Sequence, residues 1–112
     1  MVDDLKNYRW ISEMCVARGE ELVRYMVLGD DDRAEKLRRS IVSEVQVLSA
    51  RREKVIRALD KIEDERQRLI LNLRYLNGMK WIEIRQRMGY SNRYLFQLHD
   101  AALKKFEMLY EG

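Results

Sequence analysis

Apolar residues recur at helical spacing along nearly the whole chain. From Asp3 to Leu28, Leu5, Tyr8, Cys15, Leu22 and Met26 follow at steps of three, four or seven, and Ile11, Met14 and Val23 widen the stripe. Asp3 and Asp4 fall in the first turn, where negative charge suits the helix dipole, and Gly29 is placed to cap the C-terminus. Asp30, Asp31 and Asp32 follow, and Asp32 with Glu35 resembles a capping pair opening a second helix. That helix, from about Asp31 to Leu59, carries Leu37, Ile41, Val45, Leu48, Val55 and Leu59, with Arg52 in the one slot of the stripe that should be apolar. Two long amphipathic helices joined by a tight turn predict an antiparallel hairpin. After an acidic pause at Asp60 to Asp64, a third helix starts at Asp64 with Leu69, Ile70, Leu73 and Leu76, and ends at Asn77-Gly78. Two shorter periodic pieces complete the chain: Trp81, Ile84 and Met88, then Leu95, Leu98, Ala102, Leu103 and Phe106. The expectation is an all-α fold of about five helices: a hairpin over residues 1–59 and a three-helix unit over residues 60–112.

Composition sharpens this. The 112 residues contain no proline and five glycines, so helices joined by short turns are favoured, and Gly29, Gly78, Gly89 and Gly112 fall where helices can stop. One cysteine and one histidine, Cys15 and His99, rule out an internal disulfide framework and a Cys/His zinc cluster. The longest unbroken apolar stretches, such as Tyr25 to Leu28, are far too short to span a membrane, and the first residues lack the order of a signal peptide. The expectation is a cytoplasmic protein.

Function concentrates between Lys80 and Phe106. A helix-turn-helix needs a short helix, a sharp turn through a residue that accepts a left-handed backbone, and a second helix crossing the first. Counted from Trp81 along the usual span of that motif, Gly89 falls at the turn, Ile84, Met88, Tyr90, Leu95 and Leu98 fall at the packing positions, and Ser91 falls at the N-cap of the second helix. Arg85 departs, standing where close approach of the helices usually requires alanine. The residues of the second helix that avoid the core are Asn92, Arg93, Phe96 and Gln97, with Tyr94 at the edge. Their chemistry suits base reading: Arg pairs with guanine, Asn and Gln with adenine, and Phe meets a thymine methyl group. Lys80, Arg87, Ser91, Tyr94 and Lys104 flank them as candidate phosphate contacts. Charge agrees, because residues 79–106 hold six basic and two acidic side chains, whereas residues 1–59 hold twelve and eleven.

The run Glu65-Arg66, Leu69 to Gly78, then Trp81, Glu83-Ile84, Met88-Gly89-Tyr90-Ser91, Leu98 and Ala102-Leu103 resembles region 4 of sigma-70 family factors. It is still more similar to short phage and prophage regulators built on that module, of the ArpU and RinA type. The resemblance covers about residues 60–107. It implies a transcriptional regulator that reads the major groove of double-stranded DNA with the helix from about Ser91 to Phe106, in the cytoplasm of a bacterial host. In the sigma module the matching residues, here Asn92, Arg93 and Gln97, contact the promoter. The sigma pattern has Arg then Glu where this chain has Asn92 then Arg93, and nothing in these residues matches the sigma regions that bind the −10 element. The expected partners are duplex DNA, RNA polymerase and a second copy of the chain: helix-turn-helix proteins commonly bind as dimers, and the N-terminal hairpin is the expected element for dimerisation or partner contact. A helical adaptor that keeps the fold without reading bases is the alternative.

Other features have plainer readings. Cys15 sits on an apolar stripe as a small core residue, Asp30 to Asp32 lack the glycine and glutamate of a calcium loop, and Trp10 and Trp81 read as packing residues. With no phosphate-binding glycine loop and a single histidine as a base, catalysis is not expected, nor is a metal or cofactor.

Overall fold

The computed structural model describes residues 2–28 and 32–111, and among them every regular element is helical. The order is α1 (Asp3–Lys6), α2 (Tyr8–Leu28), α3 (Asp32–Asp60), α4 (Glu65–Leu71) continued by a π-helical turn (Asn72–Leu76), α5 (Trp81–Met88) and α6 (Asn92–Glu111). The all-α architecture, hairpin first and shorter helices after it, is the one the periodicity predicts. Gly29, Asp30, Asp31 and Gly112, to which the sequence assigns capping and turn roles, lie outside the described residues.

Two of the predicted helices are subdivided. The first breaks at Asn7 (φ −96°, ψ 7°), although the Asn7 N–H still donates to the Asp3 carbonyl at 2.9 Å. The third widens into a π turn, in which the Asn77 N–H reaches back five residues to the Asn72 carbonyl at 2.9 Å. Gly78 then turns the chain at φ +70°. At the head of α4, the Asp64 carboxylate accepts the backbone N–H groups of Arg66 (2.9 Å) and Gln67 (3.2 Å), the N-cap expected there.

α2 and α3 run antiparallel. Cys15 Sγ lies 3.3 Å from Ser49 Oγ, Arg18 reaches Glu44 at 3.1 Å, and Arg38 donates to the Tyr25 carbonyl at 3.2 Å, so one antiparallel register is kept as the paired residues draw closer in sequence toward the turn. Ile11, Cys15 and Leu48 form a small core of their own, flanked by Met14 and Val45. The larger core crosses residue 60. It joins Leu5 of α1 and Val55, Ala58 and Leu59 of α3 to Ile62, Ile70, Leu71, Leu73, Ile84, Leu95, Leu98, Ala102, Phe106 and Tyr110. One polar clasp fastens these parts together: Asp4 accepts from Arg51 of α3 at 2.8 Å and from the Tyr110 hydroxyl of α6. The Arg51 hydrogen bond holds the Asp4 carboxyl below the usual carboxylate range, while burial and Asp4 push the Tyr110 hydroxyl up to about 12.

The outer half of the hairpin differs from expectation. Val23 and Met26 are 60% and 67% exposed, and Leu37 is also exposed. On a helical wheel centred on Ile11, Val23 falls about 120° from the core direction, so a partner helix on one side cannot cover it. Arg18 lies near the core direction, and its guanidinium bonds to Glu21 (2.6 Å) and Glu44 where an apolar contact would otherwise extend the small core.

Candidate nucleic-acid interface

α5 and α6 are set by local chemistry. Glu83 Oε1 accepts the Lys80 backbone N–H at 3.1 Å and closes the first turn of α5. Gly89 ends that helix in the left-handed region at φ +73°, with its N–H on the Arg85 carbonyl at 2.9 Å. A side chain with a Cβ adopts this conformation only at a cost, so glycine is what allows so abrupt a turn. Ser91 Oγ then accepts the Tyr94 N–H at 3.2 Å, and α6 begins. Ile84, Leu95 and Leu98 are buried between the two helices and α4, with Met88 and Tyr90 packed against them. α6 packs chiefly on α4 and α3, and α5 leans mainly on the π turn. Arg85 lies between α5 and the start of α6. Its guanidinium donates to Asn92 Oδ1 at 3.4 Å, at the position where the motif usually carries alanine.

With Leu95, Leu98, Ala102 and Phe106 turned inward, the opposite face of α6 presents Arg93, Gln97 and Lys104 to solvent. Asp100 shares that face, so the part of it suited to nucleic acid is the first two turns. Lys104 lies eleven residues beyond Arg93, about 16 Å along the axis, and addresses a different part of any duplex. Asn92 and Phe96 occupy one shoulder of the helix and Tyr94 the other. Phe96 does not point straight outward. It is 48% exposed, and its ring packs on Trp81 with centroids 5.5 Å apart. Tyr94 is held too, edge-on to Tyr90 at 4.7 Å and accepting a hydrogen bond from Arg66 at 2.7 Å. Of the flanking phosphate candidates, Lys80, Arg87 and Ser91 are exposed, Arg87 lies 3.9 Å from Met79 Sδ, and the Ser91 oxygen is engaged in capping.

Sequence reasoning passed over two features of this region. Arg66, at the start of α4, adds a cation beside Tyr94 that appears in the sequence only as part of the Glu65-Arg66 pair. On the Phe96 side, a cleft of about 710 Å³ opens between the foot of α2, the π turn and the α5–α6 pair. Its residues come from four separate stretches of the chain, so no local pattern announces it. The nearest signal is the Lys6/Arg9 pair around Asn7, together with Arg74-Tyr75. Among the described residues no group of His, Cys, Asp and Glu is placed to hold a metal ion, and no helix is long and apolar enough to cross a membrane. Comparison with family models, curated proteins and solved structures finds no match for this chain.

Proposed function

We propose that the protein is a sequence-specific, double-stranded DNA-binding transcriptional regulator of the phage and prophage type, acting in the cytoplasm of a bacterial host. The observation that carries this reading is the face of α6 just after the Gly89 turn. Arg93 and Gln97 stand there exposed, and among the described residues neither forms an ion pair or a side-chain hydrogen bond. In helix-turn-helix proteins the N-terminal turns of the second helix meet base edges, and its exposed N–H groups favour a nearby phosphate. Arg93, Gln97 and Asn92 are the base readers. Phe96 reaches a thymine methyl group only from the shoulder, and Lys80, Arg87, Tyr94 and Lys104 serve the backbone. The resemblance of residues 60–107 to sigma region 4 supports the same reading and adds RNA polymerase as a partner.

The second face of α2 favours a protein partner as well. Val16, Val23 and Val27 line up at seven- and four-residue steps with Gly19 between them, all directed away from α3. A second copy of the chain, paired through the N-terminal helices, would cover this stripe and set two α6 helices on one duplex. The competing reading is an adaptor that uses the same stripe and reads no bases.

Selection from a random duplex library at moderate salt separates the two. A regulator enriches one motif, and Arg93→Ala relaxes it at a single position at a cost of about 1–3 kcal/mol. Lys104→Ala instead weakens all sequences alike and lowers the salt dependence. Absence of any enriched motif would overturn the regulator in favour of the adaptor.

A further inference from the structure

The cleft beside Phe96 lies off the outward face of α6, and its volume of about 710 Å³ falls in the range of small-molecule sites. Three cations surround it: Lys6 and Arg9 on either side of the Asn7 break, and Arg74 from the π turn. No carboxylate lines it, and among the described residues neither Lys6 nor Arg9 is paired with one. Cations gathered around a concave surface without a counter-charge focus a positive potential into it.

The other wall is aromatic and held in place. Trp81 packs against Phe96 and meets His99 edge-on at 4.7 Å, and His99 Nε2 is 2.7 Å from the Tyr75 hydroxyl. Arg74 lies over the Trp81 ring at 4.8 Å while donating to the Met79 carbonyl at 2.9 Å, which fixes one cation at the boundary between the two walls. The Arg9 guanidinium lies directly against Gly78 (φ +70°), where an added Cβ would run into it and move it. Arg74 and Tyr75 belong to the π turn, a distortion frequent at functional sites. Burial pushes the His99 pKa down, and Nε2 is taken up by the Tyr75 hydroxyl.

We propose that this cleft binds a free nucleoside phosphate, with the base against Trp81 and Phe96 and the phosphate between Lys6, Arg9 and Arg74. A plain anion would leave the aromatic wall unused, and a plain aromatic molecule would leave three charges unanswered. A ligand carrying both groups meets both walls, and base–aromatic stacking together with charge-assisted hydrogen bonds supplies its affinity. The cleft shares Phe96 with the proposed DNA-reading face, and the titration that tests it contains no promoter.

The full chain is titrated by calorimetry with adenosine 5′-monophosphate, adenosine and inorganic phosphate, and Trp81 fluorescence is followed in a Trp10→Phe background. The monophosphate should bind saturably below millimolar concentration and quench Trp81. Each half-ligand should bind more weakly by about tenfold or more, and added salt should weaken the phosphate-bearing compounds. Lys6→Ala with Arg9→Ala, both on the surface, should cost the monophosphate about tenfold with helicity unchanged. The inference is overturned if the monophosphate shows no saturable binding, if it binds no tighter than phosphate alone, or if the double variant binds it as tightly as the wild type. It is also overturned if the double variant loses duplex affinity while no free mononucleotide binds, because the cleft would then belong to the DNA path.

Discussion

The two ends of this molecule are held together by different means. At the wide end, α1, the last turns of α3, α4, the π turn, α5 and α6 share one core in which Leu5, Ile70, Ile84, Ala102 and Phe106 are fully buried. At the far end of the hairpin, Ile41 and Ala34 are the buried apolar residues of α3, and Arg18 and Arg38 each reach across to the other helix. The molecule is correspondingly long, with extents of 59 × 30 × 17 Å. A wide end that folds on its own apolar surface can present residues at fixed positions. The thin hairpin instead leaves Val16, Val23 and Val27 exposed on its outer face.

Substitutions can break that contrast, and the largest effect belongs to the wide end. Phe106→Ala empties the centre of the shared core and should cost about 3–5 kcal/mol in urea unfolding. A loss below about 1 kcal/mol would mean that the core is not shared in the way described.

The clasp between the parts comes next. Asp4→Asn should cost about 1–3 kcal/mol by removing the charged partner of Arg51 and Tyr110. It should also remove part of the acid sensitivity. Because the folded Asp4 carboxyl is held below its ordinary value, its contribution is fully present above about pH 4 and disappears as pH falls through the folded value. His99 acts at higher pH. Burial lowers its folded pKa, so the unfolded chain takes the proton first, and stability should begin to drop as pH falls below about 6.5. Urea midpoints across pH 3 to 8 for wild type, Asp4→Asn and His99→Asn separate the two phases.

The glycines give a comparison of opposite sign. Gly89→Ala forces a left-handed Cβ and should cost about 1–2 kcal/mol. Gly19→Ala, in the middle of α2 with nothing within 4 Å of an added Cβ, should raise stability by up to about 1 kcal/mol in the isolated chain. The smallest effect is expected at the outer stripe. Val23→Asp should leave unfolding of the isolated chain within about 0.5 kcal/mol of wild type. If a second copy covers the stripe, however, sedimentation should show the wild type associating and the variant not.

Most of the helical layout was legible because it depends on periodicity and on caps. Asp64, Ser91 and Gly89 each do locally what their residue type suggests. The N-terminal turns of α6 were legible for the same reason, since the positions not facing Leu95 and Leu98 must face outward. The shoulders were not legible. Whether Phe96 stands free or leans on Trp81 depends on how α5 and α6 are set against each other, which residue spacing alone does not give. The π turn was hidden too, because an extra residue in one turn leaves the apolar spacing around Leu73 and Leu76 nearly unchanged. The cleft needs Lys6, Arg9, Arg74 and His99 to meet through tertiary packing, which no window of sequence contains.

The π turn also acts as a buffer of length. A widened turn takes up more residues than an α-helical one within a single turn, so the chain reaches Gly78 with Leu73 in the shared core and with Arg74 and Tyr75 on the wall of the cleft. Its consequence is local: Asn72–Leu76 shape that wall, whereas Arg93 and Gln97 owe their direction to α6 and its packing on α4 and α3.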